Sequence, residues 1–431
     1  MPTTSAAPIS ALMIRFGEVR AATMKLIEPL SPEDLMVQSS PDASPVKWHL
    51  AHTSWFFETF VLREFMPGYQ AFHPEFHWLF NSYYNSLGEM PEKKLRASFS
   101  RPSLESILAY RCHVDNAIAL LLEQSPEDQA LPRITLGLEH EQQHQELIAT
   151  DVKHALYTNP LHPPYIEPGL AKSTTEVIAP PISWIAYEGG LTQIGTDPDP
   201  AAFDSFAFDN ETPRHTVYLA PFSIANRPVT CAEYLAFIDQ NGYARPELWL
   251  SEGWAKMRSE GWHAPLYWQQ DKATESGWSV YTMHGLRPLE QLSETPVCHL
   301  SFFEADAYAR WAGCRLPTEF EWEHAAASTT IAPEANMLES EALHPTPAVN
   351  QPGLQQIFGD TWEWTSSGYT GYPGYKPLPG ALGEYNGKFM SSQVILRGGS
   401  CVTPGSHIRA TYRNFFPPST RWQFSGVRLA K

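Results

Sequence analysis

The chain has 431 residues, enough for two domains with sizeable cores, and carries 18% charged residues beside 13% aromatic residues and 38 prolines. That composition describes a globular protein with much loop surface and excludes a disordered chain or a coiled coil. A formal charge of -17 without any cluster of Lys and Arg excludes a nucleic-acid partner.

The N-terminal stretch MPTTSAAPISALMIRFGEVR has neither the basic start nor the apolar run of a signal peptide, and Arg15 and Glu18 interrupt its apolar residues. No segment reaches the ~18 apolar residues of a membrane span, so a cytoplasmic protein with no membrane partner is expected. Five scattered cysteines (Cys112, Cys231, Cys298, Cys314 and Cys401) include no CxxC pair, which predicts buried free thiols rather than disulfides or a zinc ribbon. The sequence sets no oligomeric state.

Residues 1–157 read as four helices. The first covers roughly 9–29, and the second begins after SPV at 44–46 and runs through KWHLAHTSWFFETFVLREF. The third follows RPS, with Ser103 as N-cap and Glu105 in its first turn, and the fourth starts after LPR at 131–133. Four such segments predict a helical bundle, an architecture that builds metal sites from side chains on facing helices. Between the second and third helices, residues 67–102 form a connection containing HPEFHWLFNSYYNSLG, and connections of that length inside a compact domain usually serve function.

Residues 158–182 hold six prolines around KSTTE and read as a linker between domains. Beyond residue 180 lie eleven of the 14 tryptophans, with frequent Gly and Pro and only short periodic runs, so 183–431 read as an irregular, loop-rich α+β domain.

The fourth helix carries LGLEHEQQHQELIATDVKH at 136–154. His140 and His144, four residues apart, share one helix face with Leu136, Gln143, Leu147, Ile148 and Asp151 and can grip one metal ion. Glu146 projects roughly 120° from His140, which excludes it from that grip. A third ligand must come from another element. In the second helix His52 shares a stripe with Trp48, Trp55, Phe56 and Thr59, His49 lies roughly 60° to one side, and either can reach inward. His73 and His77 also have the four-residue spacing, but Pro74 between them argues against ligation. Three neutral imidazoles suit zinc, which would activate water, and equally iron(II), which would keep positions open for substrate and O2. Tyr83 and Tyr84 in the long connection are candidate proton donors beside such a metal.

Taken in order, WHLAH, LFNSYYN and LEHEQQHQE resemble the metal-binding half of the ergothioneine-biosynthesis sulfoxide synthases, a DinB-like four-helix bundle. FDNETPRHTVYLAPFSIANRPVT, CRLPTEFEWEHAA, FGDTWEWTSS, RGGSC, ATYRNFF and SGVRLA resemble the formylglycine-generating-enzyme/sulfatase-modifying domain, a C-type-lectin-like fold. The resemblance covers nearly the whole chain and implies an α+β protein: a bundle at 1–157, the linker at 158–182 and the lectin-like domain at 183–431. It implies a non-haem Fe(II) oxidoreductase that uses O2 to join the sulfur of a cysteine-derived thiol to C2 of the imidazole of Nα-trimethylhistidine (hercynine), with S-oxygenation. By the same resemblance the iron ligands are His52, His140 and His144, Gln143 contacts the substrate imidazole, and Asn414 lies near the trimethylammonium group.

Two departures refine this. Where many relatives carry an Arg/His-rich stretch that binds the carboxylates of a γ-glutamyl donor, this chain has SLGEMPEKK, without forked guanidinium donors, so free cysteine is the expected thiol rather than γ-glutamylcysteine. Where several relatives carry an acidic residue after the Asn, this chain has Phe415 and Phe416, whose aromatic faces are expected to receive the quaternary ammonium. Tyr83 or Tyr84 is the expected proton donor, with Tyr385 in GEYNGKF as the alternative. The rival readings are an ovothiol-type synthase joining sulfur to C5 of histidine, a formylglycine-generating oxidase, and a non-catalytic ligand-binding module. The first usually carries a methyltransferase domain, and the second needs a clear pair of active-site cysteines.

Overall fold

The computed structural model describes residues 6–124, 126, 129–167, 177–198 and 205–431. Four long helices carry its N-terminal part: α1 (Ala6–Lys25), α2 (Val46–Phe57), α3 (Leu104–Glu123) and α4 (Ala130–Thr158). Every residue of α2 is buried, and the helix packs against both α3 and α4, while α1 packs on α4. A buried carboxylate ties three of these helices together. Glu141 of α4 accepts from Arg20 of α1 (2.7 Å), Arg111 of α3 (2.6 Å) and Thr23 (2.6 Å). Burial raises its pKa, but the two guanidiniums outweigh burial and hold it below its usual range, so the charge is compensated where it sits.

Three helix boundaries differ from the expected ones, each for a local reason. α1 closes at Lys25 and passes into turns before residue 29. α4 starts at Ala130, before Pro132, because a proline in the first turn lacks only an N–H that would have no helical partner there. The second helix does not run uniformly to residue 65: a π-helical turn at Glu58–Leu62 interrupts it before Arg63–Phe65. Glu58 is fully buried at that turn, where its carboxylate accepts from the hydroxyls of Tyr69 and Tyr110 (both 2.8 Å) and from the Phe72 amide (3.2 Å). Ser103 caps α3 as expected, its side chain accepting from the Ser106 amide (3.2 Å). The long connection contains only the short helix Phe76–Leu79 and 3-10 turns; His73 lies outside that helix.

The chain divides into two compact units. The first runs to Thr158 and takes in Pro379–Tyr385; the second is built from the remainder, apart from a stretch ending at Phe206. Part of the expected linker, 168–176, lies outside the described residues. Before it, Pro163 and Tyr165 belong to the second unit, where the Pro163 carbonyl accepts from Tyr281 (2.6 Å) and the Tyr165 amide donates to the Met283 carbonyl (2.9 Å).

The second unit is a set of small sheets wrapped by short helices. Antiparallel pairs join β1 (Trp184–Tyr187) to β4 (Phe222–Ala225) and β2 (Gly190–Ile194) to β3 (His215–Leu219). A three-stranded meander follows from β5 (Trp268–Gln270), β6 (Trp278–Thr282) and β7 (Gly285–Pro288). The largest sheet, order β10-β9-β8-β11, uses β8 (Trp362–Gly368), β9 (Val394–Arg397), β10 (Asn414–Phe416) and β11 (Ser425–Gly426), with β11 parallel to β8 and the rest antiparallel. Its helices α5 (Cys231–Asp239), α7 (Phe302–Trp311) and α8 (Glu319–Ala326) each begin with a capping box, Thr230/Glu233, Ser301/Glu304 and Thr318/Glu321, and α6 (Ser251–Glu260) ends on the left-handed Gly261. Buried ion pairs sit within its apolar core: Arg397 meets Glu319 and Glu323, and Arg428 meets Glu363. All five cysteines are free; Cys231, Cys298 and Cys401 are buried. No helix among the described residues is long and apolar enough to cross a membrane.

Candidate metal centre

Helical spacing brings His140 and His144 onto one face of α4, and α2 presents His52 to that face. The three rings meet with centroids 5.0 Å (His52 to His140), 4.9 Å (His52 to His144) and 4.5 Å (His140 to His144) apart. One nitrogen from each lies within 4.8 Å of the others, an arrangement able to hold one metal ion. Aromatic neighbours fix the rings. His52 is stacked between Trp48 (4.4 Å, 13°) and Trp55 (5.2 Å, 14°), and His140 stacks on Phe56 (4.4 Å, 28°).

The hydrogen bonds fit a metal-binding role. His52 Nδ1 donates to the Phe80 carbonyl (2.6 Å), which makes Nε2 the lone-pair nitrogen, and that nitrogen has no partner among the described residues. Neither nitrogen of His140 has one either, although the residue is buried. Unpaired buried polar atoms are costly, and a bound cation removes that cost for both rings. Burial, with help from the neighbouring histidines, holds all three imidazoles well below the ordinary histidine pKa. They are therefore neutral near pH 7, the form that ligates.

His49, the other inward candidate on α2, lies behind this group. Its Nδ1 is 2.7 Å from His144 Nδ1, and its Nε2 is 3.0 Å from Asp151 Oδ2. Glu146 is buried and lies outside the three-histidine group.

The long connection adds tyrosines. Tyr84 is fully buried against Trp55 (5.6 Å), Phe60 (5.0 Å) and Tyr83 (4.7 Å), and Asn81 grips its backbone, accepting from its amide and donating to its carbonyl. Burial raises the pKa of both tyrosines, well above the ordinary value for Tyr84. Tyr385, at the end of the Pro379–Tyr385 segment, has its ring 5.7 Å from His140 and 6.5 Å from Tyr83, and its hydroxyl donates to Gln143 Oε1. The adjacent Glu384 carboxylate accepts from the amides of Asn85 (3.0 Å) and Ser86 (2.9 Å) and from the Ser86 hydroxyl (2.6 Å). Sequence reading missed Glu384, and no local signal marks it. It also missed the pairing of His49 with Asp151, for which the seven-residue step from His144 to Asp151 was a usable signal.

The remaining expected residues stand in the second unit on β10. Asn414 Oδ1 accepts from the Phe415 amide (2.9 Å), Phe415 stacks on Tyr369 (4.0 Å, 13°), and Phe416 meets Trp422 edge-on (5.0 Å, 84°). Two residues past SLGEMPEKK stands Arg96, whose guanidinium lies 3.4 Å over the Trp48 ring and donates to Ser44 (2.8 Å) and Ser82 (3.2 Å). Burial lowers its pKa to about 9.

The DinB superfamily matches residues 15–154, and the sulfatase-modifying factor enzyme 1-like domain matches residues 173–341 and 332–431. A hercynine oxygenase of Mycolicibacterium smegmatis is 34% identical over 444 residues, covering 95% of this chain and 96% of its own. One from Mycobacterium tuberculosis is 31% identical, covering 97% and 98%. The chain belongs to the hercynine oxygenase family. The family is an oxidoreductase family, and its two-part architecture is the one seen here: a helical bundle bearing the histidine cluster, then a sulfatase-modifying-factor-like domain. The ergothioneine biosynthesis protein 1 of Schizosaccharomyces pombe is 30% identical over 235 residues, covering 52% of this chain and 28% of that protein.

Proposed function

We propose that this hercynine oxygenase family member is an iron(II)-dependent sulfoxide synthase that couples cysteine to C2 of the hercynine imidazole, using O2. The observation carrying this reading is the buried, neutral His52, His140 and His144 group with its unpartnered nitrogens. The reaction balances without an external reductant: thiol S–H and imidazole C–H are lost, C–S and S=O bonds form, and the second oxygen atom leaves as water. Bound iron(II) would supply the one-electron chemistry that lets triplet O2 react with closed-shell partners.

The chain's own residues supply the rest. His52, His140 and His144 hold the metal as neutral donors and leave its other positions open. The Tyr385 hydroxyl fixes the Gln143 amide by occupying Oε1, which orients Gln143 toward the substrate imidazole. Tyr83 and Tyr84, protonated at neutral pH because burial raises their pKa, donate the proton that favours C–S bond formation over simple thiol oxygenation. Asn414, Phe415 and Phe416 receive the trimethylammonium group, a cation-aromatic contact of about 1–2 kcal/mol when desolvated. Free cysteine is taken as the donor over γ-glutamylcysteine because SLGEMPEKK at 86–94 offers no forked guanidinium for a second carboxylate.

The test is anaerobic loading with Fe(II), then O2 uptake and product mass for hercynine and histidine, each with cysteine and with γ-glutamylcysteine. A hercynine-cysteine sulfoxide, formed with a higher kcat/KM than the γ-glutamyl product, is expected. Absence of any thiol-imidazole adduct would refute the function, and equal kcat/KM for the two thiols would refute the donor preference.

A further inference from the structure

The histidine behind the metal group has a defined hydrogen-bonding direction. Asp151 Oδ2 accepts from the Ser44 amide (2.8 Å), just before α2, and faces His49 Nε2 at 3.0 Å. The oxygen that accepts from the Ser44 amide acts as the acceptor here too, so His49 Nε2 carries the hydrogen. Neutral His49 then has a bare Nδ1, which can only accept. It lies 2.7 Å from His144 Nδ1, and two bare nitrogens at that distance would repel, so His144 Nδ1 carries the next hydrogen. His144 Nε2 is left as the lone-pair nitrogen. The three groups are buried, which keeps bulk water from offering a competing arrangement.

We infer that Asp151 and His49 form a relay that selects the Nε2-donor tautomer of His144 and thereby sets the affinity of the metal centre. Both are positioning residues; neither belongs to the three-histidine group. The inference rests on the reading of His52, His140 and His144 as metal ligands. His52 reaches the same tautomer by another route, through the Phe80 carbonyl, and His140 has no such support, so the relay acts through one ligand of the three. Carboxylate partners of ligating histidines fix ring orientation and raise ligand basicity, and their loss commonly weakens metal binding by ~10–100-fold.

The experiment is Fe(II) affinity of the full chain, measured anaerobically by competition with a colorimetric chelator, alongside thermal unfolding of the metal-free protein. His49→Phe keeps a ring but removes both nitrogens, and Asp151→Asn replaces the acceptor-only carboxylate by a neutral amide, a weaker acceptor that can also turn its NH2 toward His49. Both are expected to weaken Fe(II) binding by ~10-fold or more. His49→Asn, whose amide oxygen can accept from His144 Nδ1, is expected to restore most of the affinity lost in His49→Phe. Wild-type Fe(II) affinity in Asp151→Asn and His49→Phe would overturn the relay, as would a fall in unfolding temperature with no change in affinity. Should His49→Phe fail to fold, Asp151→Asn decides. Failure of the unaltered protein to bind Fe(II) would instead overturn the metal-centre reading.

Discussion

Gly137, one turn before His140 on α4, sets how closely α4 approaches α2. A Cβ at this position would sit 2.4 Å from Phe57 Cε1, 2.9 Å from Cζ and 3.0 Å from Cδ1. Two effects oppose each other in Gly137→Ala. Helix propensity favours alanine by about 1 kcal/mol in a helix interior. Against it, carbon atoms prefer ~3.5–4.0 Å, so the Phe57 ring or one helix must shift by about 1 Å. The ring is fully buried, edge-on to Phe16 at 5.2 Å and to Phe56 at 6.4 Å, with the Arg20 guanidinium 5.7 Å from its centre. It therefore has little room to rotate, and overpacking of this kind costs ~1–3 kcal/mol. The net expectation is a metal-free protein less stable by about 1 kcal/mol. Metal affinity should suffer more, because ligand distances tolerate only ~0.2 Å and the strain falls between the helix bearing His52 and the helix bearing His140 and His144. Urea unfolding of the metal-free protein and Fe(II) competition would measure both, with at least a tenfold loss of affinity expected and Phe57→Leu in the same chain expected to relieve it. A Gly137→Ala protein that is as stable as the parent and binds Fe(II) equally well would refute the reasoning.

The other predictions draw on the same site. In the metal-free protein, burial lowers the pKa of His49, His52, His140 and His144, so the folded state binds fewer protons than the unfolded state once the pH falls below about 6.5. Stability is then lost as pH drops through that value, by up to about 1.4 kcal/mol per pH unit for each histidine; identical urea midpoints at pH 7.5 and 5.5 would contradict this. If Tyr83 or Tyr84 donates the proton as proposed, Tyr83→Phe or Tyr84→Phe should shift product from sulfoxide toward oxygenated cysteine, read by mass spectrometry of the two products. Tyr385→Phe should instead raise the KM for hercynine, since Gln143 loses the hydroxyl that orients it. Glu384→Ala removes the acceptor of two backbone amides and one hydroxyl, so it should raise KM several-fold in O2-uptake assays while Fe(II) affinity stays at the parent value.

What the sequence discloses here is what helix periodicity carries. His140 and His144 are four residues apart, and no packing detail is needed to put them on one face. The choice between His49 and His52 is different in kind. They are three residues apart on a helix buried on all sides, so only the placement of α4 decides which one meets His140 and which one stands behind His144. Asp151 shows the same limit, because its place on the His144 stripe is legible while its partner lies 102 positions away on α2. The turn at Glu58–Leu62 depends on a carboxylate finding Tyr69 and Tyr110, neither of which the run ETFVL announces. Pro379–Tyr385 is the extreme case. Its hydrogen bonds span 242 positions to Gln143 and 298 to Ser86, within a stretch whose composition marks only a loop. A loop is where such a residue can be placed without disturbing a ladder or a helix. Periodicity thus accounts for His140 and His144, whereas His52 and the groups proposed to orient substrate and ligands are fixed by contacts that exist only once the chain is folded.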